Sequence, residues 1–283
     1  MNLRAATVTA GAGGPVLEAA PPLPLEALVL GRPVAEVVEL LPRIFNLCRA
    51  AQDAAARLSL GLVPRDGLEA ETIRDHVLKL CVTLPRTFGG SPLAIPADPA
   101  VLLGPKGLPA DLAGLASWQS PAAALADLIR DSFAPGMACC AHLPAPPQPL
   151  AEGAFENSAA GRQSMHPLLR SVEASHGRGP LWRYLGLLAD LEAALDGRLP
   201  VPRVEDGVAV VPAARGSYAL WLRQAGGRVI GIVRRTPTDH LLAPEGALLQ
   251  SLRTLPPTMK MHAGVLALHD PCVPVTVREA AHA

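Results

Sequence analysis

Near the end of the chain lies the stretch Leu268–Arg278, with the sequence LHDPCVPVTVR. It places a single thiol, Cys272, directly after an Asp-Pro step. Proline fixes its own φ and disfavours helix at the preceding residue, so this step stops the apolar helical pattern of Thr258–Leu268. A thiol in that position is unusual for a cysteine that only fills a hydrophobic core. The stretch therefore makes Cys272 a candidate ligand.

The composition argues against several classes of protein. The 283 residues include 25 Lys+Arg and 25 Asp+Glu, a formal net charge of zero. A nucleic-acid binder needs a basic surface, so we expect no nucleic-acid partner. We also expect no membrane, since no basic amphipathic run and no apolar run of about 20 residues is present. Without a secretory signal peptide, the five cysteines indicate a cytoplasmic chain with reduced thiols.

Hydrophobic periodicity predicts a mainly helical protein. Pro180–Leu195 has the clearest helical pattern, and a core with 3% aromatic residues must be built from Leu, Val and Ala. Between about 207 and 235, short β-type runs flank the turn Ala225-Gly226-Gly227, which is typical of a hairpin. We therefore predict an α+β fold, mainly α with a small antiparallel β element. A single domain spans 1–283, with a candidate internal boundary at the proline-dense connector 141–150.

Two cysteine segments resemble a known family. Arg43–Cys48, with the sequence RIFNLC, resembles the first metal-binding region of nickel-iron hydrogenase large subunits, where an Arg-x-Cys-Gly-x-Cys motif supplies two thiolates. Asp270–Arg278 resembles their C-terminal Asp-Pro-Cys-x-x-Cys-x-x-His/Arg motif, which supplies the other two. The resemblance covers about 25–57 and 207–278. It implies a shortened form of the large-subunit helical bundle.

The departures from the family pattern fall on the metal ligands. Phe45 stands at the position of the first upstream thiolate, Val275 at that of the last downstream thiolate, and Asn46 replaces the glycine. A nickel-iron site of this family uses four thiolates, and soft sulfur ligands in the right number select such metals. Only Cys48 and Cys272 remain. The resemblance thus implies no complete nickel-iron site and no enzymatic activity.

Segments between the two cysteines extend the resemblance. Ala213–Gly216 resembles the family's Ala-Pro-Arg-Gly segment, whose arginine lies over the iron, and Thr236–Asp239 resembles a segment beside the cyanide ligands. Glu156–Arg162 resembles a further motif with an acidic start and an arginine end. By this resemblance Arg215, Thr238 and Pro237 contact the ligands of a bound iron, with Arg215 and Thr238 donating hydrogen bonds.

This combination resembles the large-subunit-like hydrogenase expression and formation proteins, the HupK type. The resemblance implies a scaffold or carrier that holds an iron–cyanide–carbonyl fragment through Cys48 and Cys272 before delivery. The implied partners are the maturation chaperone that carries the iron fragment and the immature hydrogenase large subunit.

Two other readings stay open from the sequence. In the first, the chain is a metal-free interaction protein that docks maturation partners, and both cysteines are buried relics. In the second, it is an active hydrogenase subunit, which Phe45 and Val275 disfavour. Among the remaining thiols, Cys81 lies on an apolar helix face and is predicted to belong to the core. The adjacent pair Cys139 and Cys140 is predicted to be structural, because neighbouring residues are poorly placed to bind one metal together.

Overall fold

A computed structural model describes residues 6–11, 14–18, 23–255 and 259–279. Helices dominate the described residues, as predicted. They are α1 (Leu25–Val29), α2 (Val34–Ile44), α3 (Arg49–Ser59), α4 (Leu68–Leu78), α5 (Leu84–Thr87), α6 (Ala123–Ser132), α7 (Ala159–Arg162), α8 (Pro167–His176), α9 (Pro180–Leu195), α10 (Pro237–Leu241), α11 (Ala247–Arg253) and α12 (Met259–His269). Within this part of the chain, no helix has the length and apolar content needed to cross a bilayer.

Helix α9 is the centre of the larger core. It begins with proline at its first turn, which suits a position whose N–H has no helical partner. Nearly all its side chains are buried, as expected for a helix that is apolar on every side. Gly186 lets α7 approach closely, because a Cβ there would overlap Ala160. The predicted helix over Pro180–Leu195 is confirmed.

A four-stranded antiparallel sheet confirms the predicted β element. Its strands are β3 (Arg203–Glu205), β4 (Val208–Ala213), β5 (Gly216–Ala225) and β6 (Arg228–Arg235), in sequential order. The β5–β6 hairpin turns through Gly226 and Gly227 at φ 56° and 73°, the left-handed conformation that a tight hairpin requires. One face of the sheet packs on α1–α3 and forms a second, smaller core with the alanines of α3.

A second sheet joins the two ends of the described chain. It has the strand order β2 (Gly14–Glu18), β1 (Ala6–Gly11), β7 (Val275–Glu279). β1 pairs antiparallel with β2 and parallel with β7, so that Val8 lies opposite Val277. The sequence did not predict β7, since its pairing partner lies more than 260 residues away and leaves no local signal. This sheet anchors the segment that follows Cys272.

The helical run that begins at α4 contains an irregular turn. Between α4 and α5 the backbone of Lys79–Thr83 forms a π-helix. Such π-turns insert one residue into a helix and are frequent at functional sites. The division of the chain into one domain with a boundary near 141–150 stays a prediction.

Candidate metal-binding site

Residues from four separate elements surround Cys48 and Cys272. Cys48 ends the short 3₁₀ turn Asn46–Cys48 and directly precedes α3, whereas Cys272 lies in the bend between α12 and β7. Arg215 occupies the turn between β4 and β5, and Thr238 lies in the first turn of α10. The two thiols are close enough for the charge of Cys272 to raise the pKa of Cys48. Arg215 interacts electrostatically with both thiols.

The environment of Cys48 favours the protonated thiol. Burial is the main cause that raises the pKa of Cys48 from its ordinary value of 9.0 to about 11. Gln52 opposes this rise, because its Nε2 donates to the Sγ of Cys48 at 3.6 Å. The carboxylate of Glu71 accepts the N–H groups of Ala50 at 2.8 Å and Ala51 at 3.3 Å, which fixes the start of α3 next to the thiol.

Cys272 is held by its backbone. Its N–H donates to the Oγ1 of Thr238 at 2.8 Å. Since a hydroxyl has one hydrogen of its own, Thr238 keeps a donor for a further acceptor. Pro237 begins α10, and a reciprocal capping box between Thr236 and Asp239 fixes that helix start. The structure thus places Thr238, predicted as a ligand contact, directly against Cys272.

Four charged side chains form a continuous line beside Cys272. Asp270 contacts Lys79, and its Oδ2 lies 2.8 Å from the Nε of Arg215. The Nη1 of Arg215 lies 3.8 Å from the Oδ2 of Asp75. Burial disfavours the guanidinium charge, but Asp270, Asp75 and the two thiols together outweigh burial and raise the pKa of Arg215 above its ordinary value. Burial lowers the pKa of Lys79.

The guanidinium of Arg215 retains unused donors. Its Nη2 donates to Asp270 at 3.4 Å, a long bond, while Nε and Nη1 are buried without an aligned acceptor. Buried donors without a partner are costly, and native structures normally satisfy them. These N–H groups are therefore suited to an anionic or dipolar ligand bound at the thiols.

Hydrogen bonds from Asn157 and Arg162 hold the turn that bears Arg215. Asn157 receives the N–H of Ser217 on its Oδ1 at 2.8 Å and donates from Nδ2 to the carbonyl of the same residue at 2.9 Å. Arg162 donates to the carbonyls of both ends of the turn Ala213–Gly216, at 3.1 and 3.2 Å. These bonds fix the direction in which Arg215 points.

The fully buried carboxylate of Asp190 fixes the position of Arg162. Asp190 accepts from Arg162 at 2.8 and 2.5 Å, from Gln163 at 2.8 Å and from the Nε2 of His76 at 2.8 Å. Burial opposes its ionisation, but Arg162 and His76 hold the pKa of Asp190 far below its ordinary value. We name this set the support network: Asn157, Arg162, Gln163, Asp190 and His76.

Arg215 lines two small cavities, with volumes of about 30 and 20 Å³. Volumes of this size hold one or two water-sized groups, far less than the several hundred Å³ of a metabolite pocket. The smaller cavity is lined on one side by Arg215, Pro237 and Thr238. The three residues predicted to contact an iron's ligands therefore border one space.

The two residues that stand in place of the family's thiols, Phe45 and Val275, make other contacts. Phe45 packs its ring under the guanidinium of Arg234, 4.3 Å from the ring centroid. Val275 begins β7 and pairs with Ala6. Neither side chain has a donor atom for a metal. Among the described residues, no group of three or more His, Cys, Asp or Glu is arranged to hold a metal ion.

The other cysteines lie outside this site. Cys81 is fully buried in the larger core, as predicted. Cys139 and Cys140 bond to α8 and α9: the thiol of Cys139 donates to the carbonyl of His176 at 3.1 Å, and Cys140 accepts from Arg183 at 3.3 Å. All five cysteines are free thiols.

Sequence reasoning named Cys48, Cys272, Arg215, Pro237 and Thr238, and the structure brings these residues together. It missed Asp75 and Lys79, the outer members of the charged line. Their spacing of four residues places both on one face of a predicted helix, which was the available signal. Arg162 was noted in a family motif, but its bond to Asp190 was not foreseeable.

Comparison with known proteins identifies the family. No known family profile matches the chain. Over 275 residues, however, it is 48% identical to the hydrogenase expression/formation protein HupK of Rhodobacter capsulatus, and the match covers 93% of this chain and 92% of that protein. The chain belongs to the HupK family. The resemblance stated from the cysteine segments is therefore confirmed.

Solved structures show the same fold in hydrogenases. The reduced nickel-iron-selenium hydrogenase of Desulfovibrio vulgaris Hildenborough superposes with a TM-score of 0.57 at 12% identity, covering 92% of this chain and 94% of that chain. The reduced, active form of the Desulfomicrobium baculatum enzyme gives a TM-score of 0.53 at 11% identity, covering 94% and 95%. At these identities the likeness shows the fold alone. The HupK-family chain therefore has the hydrogenase large-subunit fold, as predicted.

Proposed function

We propose that this HupK-family chain is a non-enzymatic accessory protein in nickel-iron hydrogenase maturation. Its thiols Cys48 and Cys272 hold an iron–cyanide–carbonyl fragment until the fragment passes to the immature large subunit. The maturation chaperone that carries the fragment is the proposed donor. The observation that carries the proposal is a two-thiol site, to which the described residues add no further metal-ligand group, beside an arginine whose buried Nε and Nη1 have no aligned acceptor.

The donor set fits such a cargo. Two thiolates leave several coordination positions of an iron open, and tightly bound diatomic ligands fill such positions without further protein ligands. Cyanide nitrogens accept hydrogen bonds, and Nε and Nη1 of Arg215, although ion-paired with Asp270 and Asp75, have no aligned acceptor in the protein. The cavity of about 20 Å³ that Arg215 and Thr238 line has room for a group of diatomic size.

Loading changes the protonation of the site. Each cysteine exchanges its S–H bond for an S–Fe bond as the iron gives up a bond to the chaperone that delivers it, and the proton passes to the freed chaperone ligand or to solvent. Because burial raises the pKa of Cys48 to about 11, the metal-free protein holds this thiol protonated at neutral pH. The protonated thiol is a weak nucleophile and a weak ligand. In the metal-free state, burial thus makes Cys48 less reactive towards oxidants than an exposed thiol.

Infrared spectroscopy tests the proposal. Protein co-produced with the maturation machinery and purified without oxygen should show cyanide and carbonyl stretching bands. Cys48→Ala and Cys272→Ala should each abolish them, whereas Cys139→Ala, which removes a thiol outside the site, should leave them unchanged. Absence of bands in the wild-type protein, with full hydrogenase maturation supported by both alanine variants, would instead establish a metal-free docking protein.

A further inference from the structure

Lys79 lies at the junction of two backbone irregularities. It is the first residue of the π-helical turn Lys79–Thr83, and it contacts Asp270, a non-glycine residue with a left-handed φ of 49°. Both irregularities cost free energy, and such features persist where the surrounding structure holds them in place. Asp270 is two residues from Cys272. The ammonium of Lys79 therefore connects the two irregular segments next to the thiol.

Lys79 is an unusual residue for this position. Its side chain is only 10% exposed, and lysine is rarely buried without a role for its charge. Its ammonium contacts the same carboxylate oxygen, Oδ2 of Asp270, that lies 2.8 Å from the Nε of Arg215. One carboxylate thus serves two cations. Lys79 is compact and has three rotatable donors, whereas Arg215 carries a planar fork.

The sharing determines how Arg215 binds. An arginine and a carboxylate left alone prefer two parallel, short N–H···O bonds. Here Arg215 has one long bond of 3.4 Å to Oδ1, and its Nε is out of line for a bond although it lies near Oδ2. With Lys79 on Oδ2, Asp270 does not form the two-bond fork. The donors Nε and Nη1 of Arg215 stay unengaged.

We propose that Lys79 is a positioning residue that keeps the guanidinium of Arg215 available to the cargo by occupying Asp270. Lys79 does not bind the cargo itself. Without it, Asp270 draws Arg215 into a closed two-bond pair. The site then retains both thiols but loses the Nε donor of Arg215.

The first test needs no cargo. In a crystal structure of the metal-free Lys79→Met protein, the distance from Nη2 of Arg215 to Oδ1 of Asp270 should shorten from 3.4 Å to about 2.7–2.9 Å, and Nε, which already lies 2.8 Å from Oδ2, should be aligned for a hydrogen bond. The wild-type crystal structure should keep Nε and Nη1 without an aligned protein acceptor. An unchanged Arg215 in the variant would overturn the inference, whatever the protein carries.

The second test rests on the proposed function and uses the infrared bands. In Lys79→Met the cyanide bands should move to lower wavenumber, because cyanide nitrogens lose hydrogen-bond donors, and the affinity for the fragment should fall about tenfold, the value of one bond from a charged donor. Lys79→Arg, which keeps a cation on Asp270, should restore the wild-type band positions. Lys106→Met, at an exposed lysine, serves as the matched control.

The two outcomes of failure are separable. If wild-type protein shows no bands, the carrier function fails and the crystallographic test still decides the role of Lys79. If wild-type protein shows bands and Lys79→Met shows the same bands at the same positions, the positioning role is overturned and the carrier function stands. Circular dichroism of the variant, compared with wild type, verifies that the fold is intact.

Discussion

The support network and the thiol site both adjoin the Arg215 turn and differ in how completely their polar groups are satisfied. In the support network, Asp190 accepts four hydrogen bonds, and Asn157 uses both its donor and its acceptor to bond Ser217. In the thiol site, Nε and Nη1 of Arg215 have no aligned hydrogen-bond acceptor, and burial raises the pKa of Cys48. The satisfied side fixes geometry. The unsatisfied side is prepared for a ligand.

The difference between the two groups has a physical cause. A buried charge is stable only when it is paired and hydrogen-bonded, so a fold that must hold one arginine half-satisfied needs a rigid support around it. The support network supplies this rigidity through bonds between α7, α9, α4 and the β4–β5 turn. Variants on the support side should therefore reduce stability, and variants on the thiol side should mainly reduce cargo binding.

The largest effect on stability should come from Asp190→Asn. This change leaves Arg162 buried without its counter-charge, so the free energy of unfolding should fall by about 3–5 kcal/mol. Chemical denaturation followed by circular dichroism measures it. Asp127→Asn, at a half-exposed surface carboxylate, is the control and should change stability by less than about 0.5 kcal/mol. A small loss at Asp190 would contradict its place in a rigid support.

The next effect is a pH dependence that arises from Cys48. Because burial raises its pKa in the folded state from 9.0 to about 11, the neutral thiol contributes stability that is fully present below pH 9 and is lost as pH rises through about 11. A two-unit difference corresponds to about 2–3 kcal/mol. The difference in unfolding free energy between wild type and Cys48→Ala, measured from pH 8 to 11.5, isolates this contribution. A difference that stays constant across this range would mean that Cys48 is solvated like an ordinary thiol.

A smaller loss is expected at Asn157. Asn157→Ala removes two hydrogen bonds to Ser217, which should cost about 2 kcal/mol in unfolding free energy. Asn157→Asp keeps the acceptor and loses the donor, so it should cost less. Thermal or chemical denaturation of the two variants orders them. Equal losses would indicate that the donor bond from Nδ2 has no net value.

The smallest effect on stability should come from Cys272→Ala. The thiol is only partly buried, so the variant should lose less than about 1 kcal/mol of unfolding free energy while it loses all cyanide and carbonyl bands. This combination, a stable fold with no cargo, is the opposite of that expected for Asp190→Asn. A large destabilisation by Cys272→Ala would mean that Cys272 stabilises the fold as the support network does.

The helices and the hairpin were predictable because their signals are local. Pro180–Leu195 carries its apolar residues at helical spacing, and Gly226-Gly227 supplies the left-handed backbone that a two-residue turn demands. The strand β7 was not predicted, since it depends on a parallel pairing with β1 across nearly the whole chain. A pairing between strands so far apart in sequence cannot be inferred from the residues of either strand alone.

The candidate site divides in the same way. Sequence alone identified Cys272 after its Asp-Pro step, Cys48 at the end of Arg43–Cys48 and Arg215 in its Arg-Gly step, because side-chain chemistry is written directly in residue identity. Through the family resemblance, Phe45 and Val275 marked the positions where two further thiolates are missing. Only the tertiary structure decided that Lys79 and Arg215 share Asp270 and that Asp190 supports the Arg215 turn. Those relations join residues from distant segments. They depend on which buried charges the folded chain brings within hydrogen-bond reach, which no local pattern specifies.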